Sequence, residues 1–176
     1  MNINIRSKIM PNKTSNSAKQ LARHYIETMY TKDACANHMG IHIDYIDIGI
    51  AQLSMAVEHG RLNGHKTCHG GIIFTLADTA FAYACNSEGL AAVASACSID
   101  FTRPVFNGDQ LTAIASVQHQ GKTSGLYDVK VTNQNGKTVA FFRGHAHRSG
   151  HSVLAEPSKV LPSQASLPKA HRREKS

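Results

Sequence analysis

One segment limits the fold more than any other. Ile72–Ala84 reads IIFTLADTAFAYA, and only Thr75, Asp78 and Thr79 in it are clearly polar. Its Ala, Leu and Phe content favours helix, and Gly89 supplies a stop just beyond. A helix apolar nearly all round has to be buried. Four strand-like runs follow, at 91–105, 109–120, 123–133 and 137–148. Asn107-Gly108, Gly121 and Asn135-Gly136 mark the turns between them, which predicts four successive antiparallel strands.

Upstream, an amphipathic helix starts near Ser17 with Leu21, Tyr25, Ile26 and Met29 on one face. Asp33 can cap a second, short helix ending at Gly40. Ile41, Ile43 and Tyr45, then Ile50–Val57 after Gly49, read as two strands joined by a tight turn. The expected fold is α+β: a long central helix wrapped by a curved antiparallel sheet of about six strands. One sheet and one helix leave strand edges uncovered, and dimerisation is the usual remedy. The expected organisation is a flexible N-terminal extension, 1–16, a folded domain, 17–150, and a disordered C-terminal tail, 151–176.

The chain has 176 residues and a net charge of +7. Residues 1–20 contribute +4 and residues 156–176 contribute +3, so the body is neutral. A nucleic-acid reader carries its positive charge on the folded surface, so nucleic acid is not the expected partner. No apolar run reaches 18 residues, so no membrane-spanning helix is expected. Cys35, Cys68, Cys85 and Cys97 form no CxxC pair and read as reduced, mostly packed thiols of a cytoplasmic protein. The N-terminus has no continuous apolar stretch and is not a secretory signal.

Asp78 stands alone among apolar neighbours, where an ionised carboxylate is expensive unless paired or hydrogen-bonded. It can face an interface gap, pair with an arginine, bond back to a turn, or serve as nucleophile or general base. His69-Gly70-Gly71 opens the same helix, where backbone N–H groups and the helix dipole favour developing negative charge. Gly70 precedes Asp78 by eight residues, about 12 Å of helix. Two groups that far apart on one helix meet at one carbonyl only if they come from two subunits. Asn63 reads either as a turn residue beside Gly64 or as an amide orienting a water or a carbonyl. His59, His65, Cys68 and His69 do not match zinc spacings, and neither metal nor cofactor is expected. Cys68 lacks an evident base partner. GxSxG, GxGxxG and Walker patterns are absent.

The run LNGHKTCHGGIIFTLADTAFAYACNSEGLAAVASACSIDFTRPVFNGD resembles the phenylacetic acid degradation thioesterases (PaaI type) of the hotdog superfamily. HQGKTSGLYD and KTVAFFRGHAHR resemble that family too, so the likeness covers about residues 20–150. It implies a hotdog fold, dimers with two interface active sites usually paired into homotetramers, and hydrolysis of aryl-acetyl-CoA thioesters such as phenylacetyl-CoA and its hydroxylated forms. It implies that Asp78 is the catalytic carboxylate, that the Gly70 N–H holds the oxyanion, and that Asn63 is the polar loop side chain. It leaves His69 a supporting role for the loop or the thioester. Arg103, Lys122, Arg143 and Arg148 are candidates for CoA phosphates. Phe74, Phe81 and Tyr83 are candidates for the acyl pocket. His145 stands where relatives often carry lysine. The competing readings are a hotdog hydratase, a non-catalytic acyl-CoA sensor, and a polyanion binder using the tails. The hydratase reading lacks its histidine, because Tyr83 occupies the fifth position after Asp78.

Overall fold

The computed structural model describes residues 15–155. Helix α1 spans Asn16–Lys32, one residue earlier than the periodicity suggests, because Ser15 caps it by accepting the Ala18 N–H. Its buried side chains are Ala22 and Ile26. Leu21 is instead 50% exposed, so the apolar face is narrower than the sequence implies. Asp33 caps α2 (Ala34–His38) as expected, accepting from the Ala36 N–H.

Strands β1 (His42–Asp47) and β2 (Ile50–Ala56) form the first hairpin. Gly49 turns it at a φ of +70°, which a side chain would strain. The apolar segment becomes α3, Gly70–Asn86. Ile73, Leu76, Ala77, Ala80, Phe81 and Ala84 are among its buried residues, and each large one contributes about 1.5–3 kcal/mol. Burial is not complete all round: Thr75, Asp78, Thr79 and Ala82 form a half-buried stripe at helical spacing. Gly144 on the sheet lets the Phe81 ring approach closely, and that ring also meets Tyr127 and Phe142.

The remaining strands are β3 (Leu90–Phe101), β4 (Gln110–Gln120), β5 (Ser124–Asn133) and β6 (Thr138–Ser152). All six form one antiparallel sheet in the order β1-β2-β4-β5-β6-β3. β3 therefore does not lie beside β4, its successor in the chain. It crosses to the far side of β6, clamped there by Asn86, which bonds the Ala82 carbonyl and both backbone groups of Ala92. β6 runs to Ser152, past the expected boundary at 150.

The two sheet edges differ. α1 packs on β1. β3 is an open edge of 12 residues, exposed along most of its length, with Val93 64% and Phe101 51% accessible. The expected extension before Ser15 and the tail after Ala155 lie outside the described residues.

Candidate active site

The loop before α3 is a tight polar turn. Asn63 Oδ1 accepts from the backbone N–H groups of His65 and Thr67, and its Nδ2 donates to Thr67 Oγ1 at 3.0 Å. The turn reading of Asn63 is thus correct as local structure, and one Nδ2 hydrogen remains available. Cys68 is buried behind the loop, and burial pushes its thiol up to about 11, which leaves it a poor nucleophile.

His69 is the N-cap of α3. Its Nδ1 accepts the Gly71 N–H at 3.0 Å. That bond places the imidazole proton on Nε2, which points away from the cap as a donor. The Ile72 and Ile73 N–H groups turn back to the His69 carbonyl. The Gly70 N–H is left, with no acceptor among the described residues. It sits at the positive end of the helix dipole, beside a cleft of about 380 Å³. Thr67, Ile73, Phe101, Arg103 and Val105 line that cleft with Gly70. A methyl at Gly70 would lie 3.0 Å from the Phe101 ring, so the glycine keeps the mouth open.

Asp78 lies two helical turns on, half-buried. No arginine or lysine pairs with it among the described residues, and it makes no bond back to a turn. Among the described residues its one side-chain hydrogen-bond partner is Cys97, whose Sγ is 3.9 Å from Oδ1. Burial raises the Asp78 carboxyl above its ordinary value, and the Cys97 contact partly offsets the rise. Cys97 is exposed, as is Cys35, so only Cys68 and Cys85 are the packed thiols that the sequence suggests.

The other candidates scatter. Arg103 is exposed, donates through Nη1 to the Thr138 carbonyl at 2.7 Å, and lines the Gly70 cleft. Arg143 makes a two-pronged bond to Asp128 on the sheet face turned away from α3. Lys122 is exposed in the turn between β4 and β5. Arg148 is out of reach of a phosphate. Strand alternation turns it inward, its side chain is 7% exposed, and Glu88 pairs with it at 2.9 Å. It lies near the C-terminal end of α3, about 24 Å of helix from Gly70. Phe81 and Tyr83 are core residues rather than pocket walls, and the Tyr83 hydroxyl donates to Asp33 at 3.0 Å. Phe74 is partly buried against Phe142. Sequence reasoning missed Cys97 as a neighbour of Asp78, and it missed His69 as a cap, since the usual caps are Ser, Thr, Asp and Asn.

The fold and this helix N-terminus define a class. Residues 65–140 match the thioesterase superfamily, and the chain belongs to that family, with its hotdog fold. Within it, the chain is 60% identical over 128 residues to the acyl-coenzyme A thioesterase PaaI of Escherichia coli, covering 73% of this chain and 91% of that one. The solved structure of the E. coli PaaI protein, from the phenylacetic acid degradation operon, superposes with a TM-score of 0.76. It covers 77% of this chain and 98% of its own at 57% identity. A Streptococcus mutans protein solved bound to acetyl-CoA is 29% identical with a TM-score of 0.62, over 64% of this chain and 90% of that one. Among the described residues no helix is long and apolar enough to cross a membrane.

Proposed function

We propose that this chain is an acyl-CoA thioesterase of phenylacetate catabolism. Its substrates are aryl-acetyl-CoA thioesters, phenylacetyl-CoA and its ring-hydroxylated forms. The observation that carries the reading is the pairing of two groups on α3: an N–H at Gly70 with no acceptor among the described residues, and a half-buried carboxylate at Asp78 with no cation beside it among them. A binder of CoA needs neither. The 60% identity to an acyl-CoA thioesterase supports the same reaction class.

About 12 Å of helix separates the two groups within one subunit. Each active site therefore takes Gly70 from one subunit and Asp78 from its partner. The open β3 edge supports a homodimer that joins the two sheets, with dimers pairing into tetramers. The Gly70 N–H, reinforced by the dipole of α3, polarises the thioester carbonyl and holds its oxygen as negative charge develops. Asp78 acts on the carbonyl carbon, either directly, forming a mixed anhydride that water then hydrolyses to the free acid, or through a water that it deprotonates. By either route the C–S bond breaks and CoA leaves as thiolate, which needs no strong general acid. Asn63 orients the attacking group with its remaining N–H. His69 fixes the loop by its cap and presents Nε2–H outward. Arg103, beside the cleft, is the cation best placed for a CoA phosphate.

The test is CoA release from phenylacetyl-CoA, acetyl-CoA and a long-chain acyl-CoA. Selective turnover of the aryl-acetyl thioester supports the reading. Tight binding of all three with no CoA release replaces it with the sensor.

A further inference from the structure

β3 changes face part-way along. Ala92 packs against the core, and so does Ile99. Strict alternation keeps an even-numbered and an odd-numbered residue on opposite faces. Between them the register against β6 slips, at Ala94/Ala96, which is a β-bulge. Beyond the bulge Cys97, Ile99 and Phe101 face α3, whereas Ser98 and Asp100 face the other way beside Phe141 and Arg143. Without that extra residue Cys97 would point away from the helix. The bulge brings its Sγ to 3.9 Å from Asp78 Oδ1.

We infer that Cys97 is a positioning residue for Asp78: its S–H donates to Oδ1, holds the carboxylate in one orientation, and leaves Oδ2 for the substrate. The inference rests on the proposed role of Asp78. Among the described residues no other side chain reaches that carboxylate. Burial, and after it the Asp78 charge, raises the Cys97 thiol, so Cys97 stays the protonated donor. The other groups around α3 are engaged elsewhere. β2 and β4 turn buried apolar side chains to it. β5 presents Tyr127, bonded to Gln120, and β6 presents Arg148, paired with Glu88. From α1 and its end, Tyr30 and Asp33 gather on Tyr83. On α3 itself Cys85 is coupled to Asp78 by charge, but its Sγ bonds the Ala82 carbonyl.

The experiment is the pH profile of kcat and kcat/KM for phenylacetyl-CoA with wild type, Cys97→Ala, Cys97→Ser and Asp78→Asn. Loss of thioester absorbance is the readout, so that no thiol reagent touches Cys97. Cys97→Ala should lower kcat about threefold with KM little changed, and move the acid limb to higher pH. Cys97→Ser, which keeps a donor, should return the limb to the wild-type position or below it. A Cys97→Ala profile that superposes on wild type, alongside an inactive Asp78→Asn, overturns the role of Cys97 alone. So does a Cys97→Ser profile displaced like that of Cys97→Ala, which marks a packing contact. Should Cys97→Ala not fold, Cys97→Ser decides alone, since a limb displaced upward contradicts the donor. Turnover in Asp78→Asn removes the role of Asp78 and that of Cys97 with it.

Discussion

His69 takes the Gly71 N–H at its Nδ1, 3.0 Å away, and leaves the Gly70 N–H as the first-turn donor of α3 without an acceptor among the described residues. The cap and the unpartnered first-turn N–H are thus two consequences of one residue. His69→Ala should lose about 1 kcal/mol of stability together with turnover. His69→Asn, an established cap type, should recover most of the stability in thermal denaturation.

The backbone around Gly70 permits deletion of its donor without breaking α3, although the added ring also crowds the cleft mouth at Phe101. Gly70 is the first helical residue, where proline is well tolerated, and His69 before it has φ −62° and ψ 133°, which suits a residue preceding proline. Gly70→Pro therefore removes the N–H and leaves α3 intact, with the Phe101 ring shifting to admit the new side chain. The expected cost is about 10²–10³ in kcat with little change in circular dichroism.

Two inactive variants should rescue each other if the site spans subunits. In a mixed dimer of Asp78→Asn and Gly70→Pro, one site receives the intact Asp78 and the intact Gly70 while the other receives neither. Random reassortment gives about one quarter of wild-type activity. Activity that stays at the level of the parents after subunit exchange places both groups in one chain.

Burial of Asp78 has a consequence for stability. A carboxyl raised above its ordinary value stabilises the fold in its neutral form. That contribution is fully present below the ordinary carboxylate value and is lost as pH rises through the raised one. Above the raised value the ionised carboxylate weighs against the fold, and there Asp78→Asn should melt at a higher temperature than wild type. The gap should close as pH falls through the acid range, which melting curves across pH 3–8 will show.

Asn86 is the reverse case, a buried polar side chain whose groups are satisfied by Ala82 and Ala92. Asn86→Ala strands the Ala92 backbone and should cost about 1–3 kcal/mol in denaturant unfolding. Since Asn86 holds the start of β3, the loss should also weaken dimerisation, visible as a lower-mass species in sedimentation.

Much of the fold was legible because its signals are local. The apolar run is α3, Asp33 caps α2, and Asn107-Gly108 and Asn135-Gly136 sit in the turns, with Gly108 at φ +88° and Gly136 at φ +70°. The partner of β3 was not legible. A chain of antiparallel runs suggests β3 beside β4, whereas the Asn86 clamp and the crossover put it beyond β6, and both are tertiary. Asp78 and Gly70 stood out by chemistry that does not depend on such pairing. Cys97 did not, because its face is set by a bulge that alternation conceals. Arg148 departs from expectation for a related reason: charge alone suggests a phosphate ligand, and only the inward turn of β6 reveals its partner as Glu88.

The most direct measurement is CoA release from phenylacetyl-CoA by wild type and Asp78→Asn, with the melting temperature of each recorded alongside. The expected result is turnover in the wild type and at least a thousandfold loss, on the order of a deleted nucleophile or base, in a variant that melts no lower. Substantial hydrolysis by folded Asp78→Asn would contradict the account and return Asp78 to a structural carboxylate.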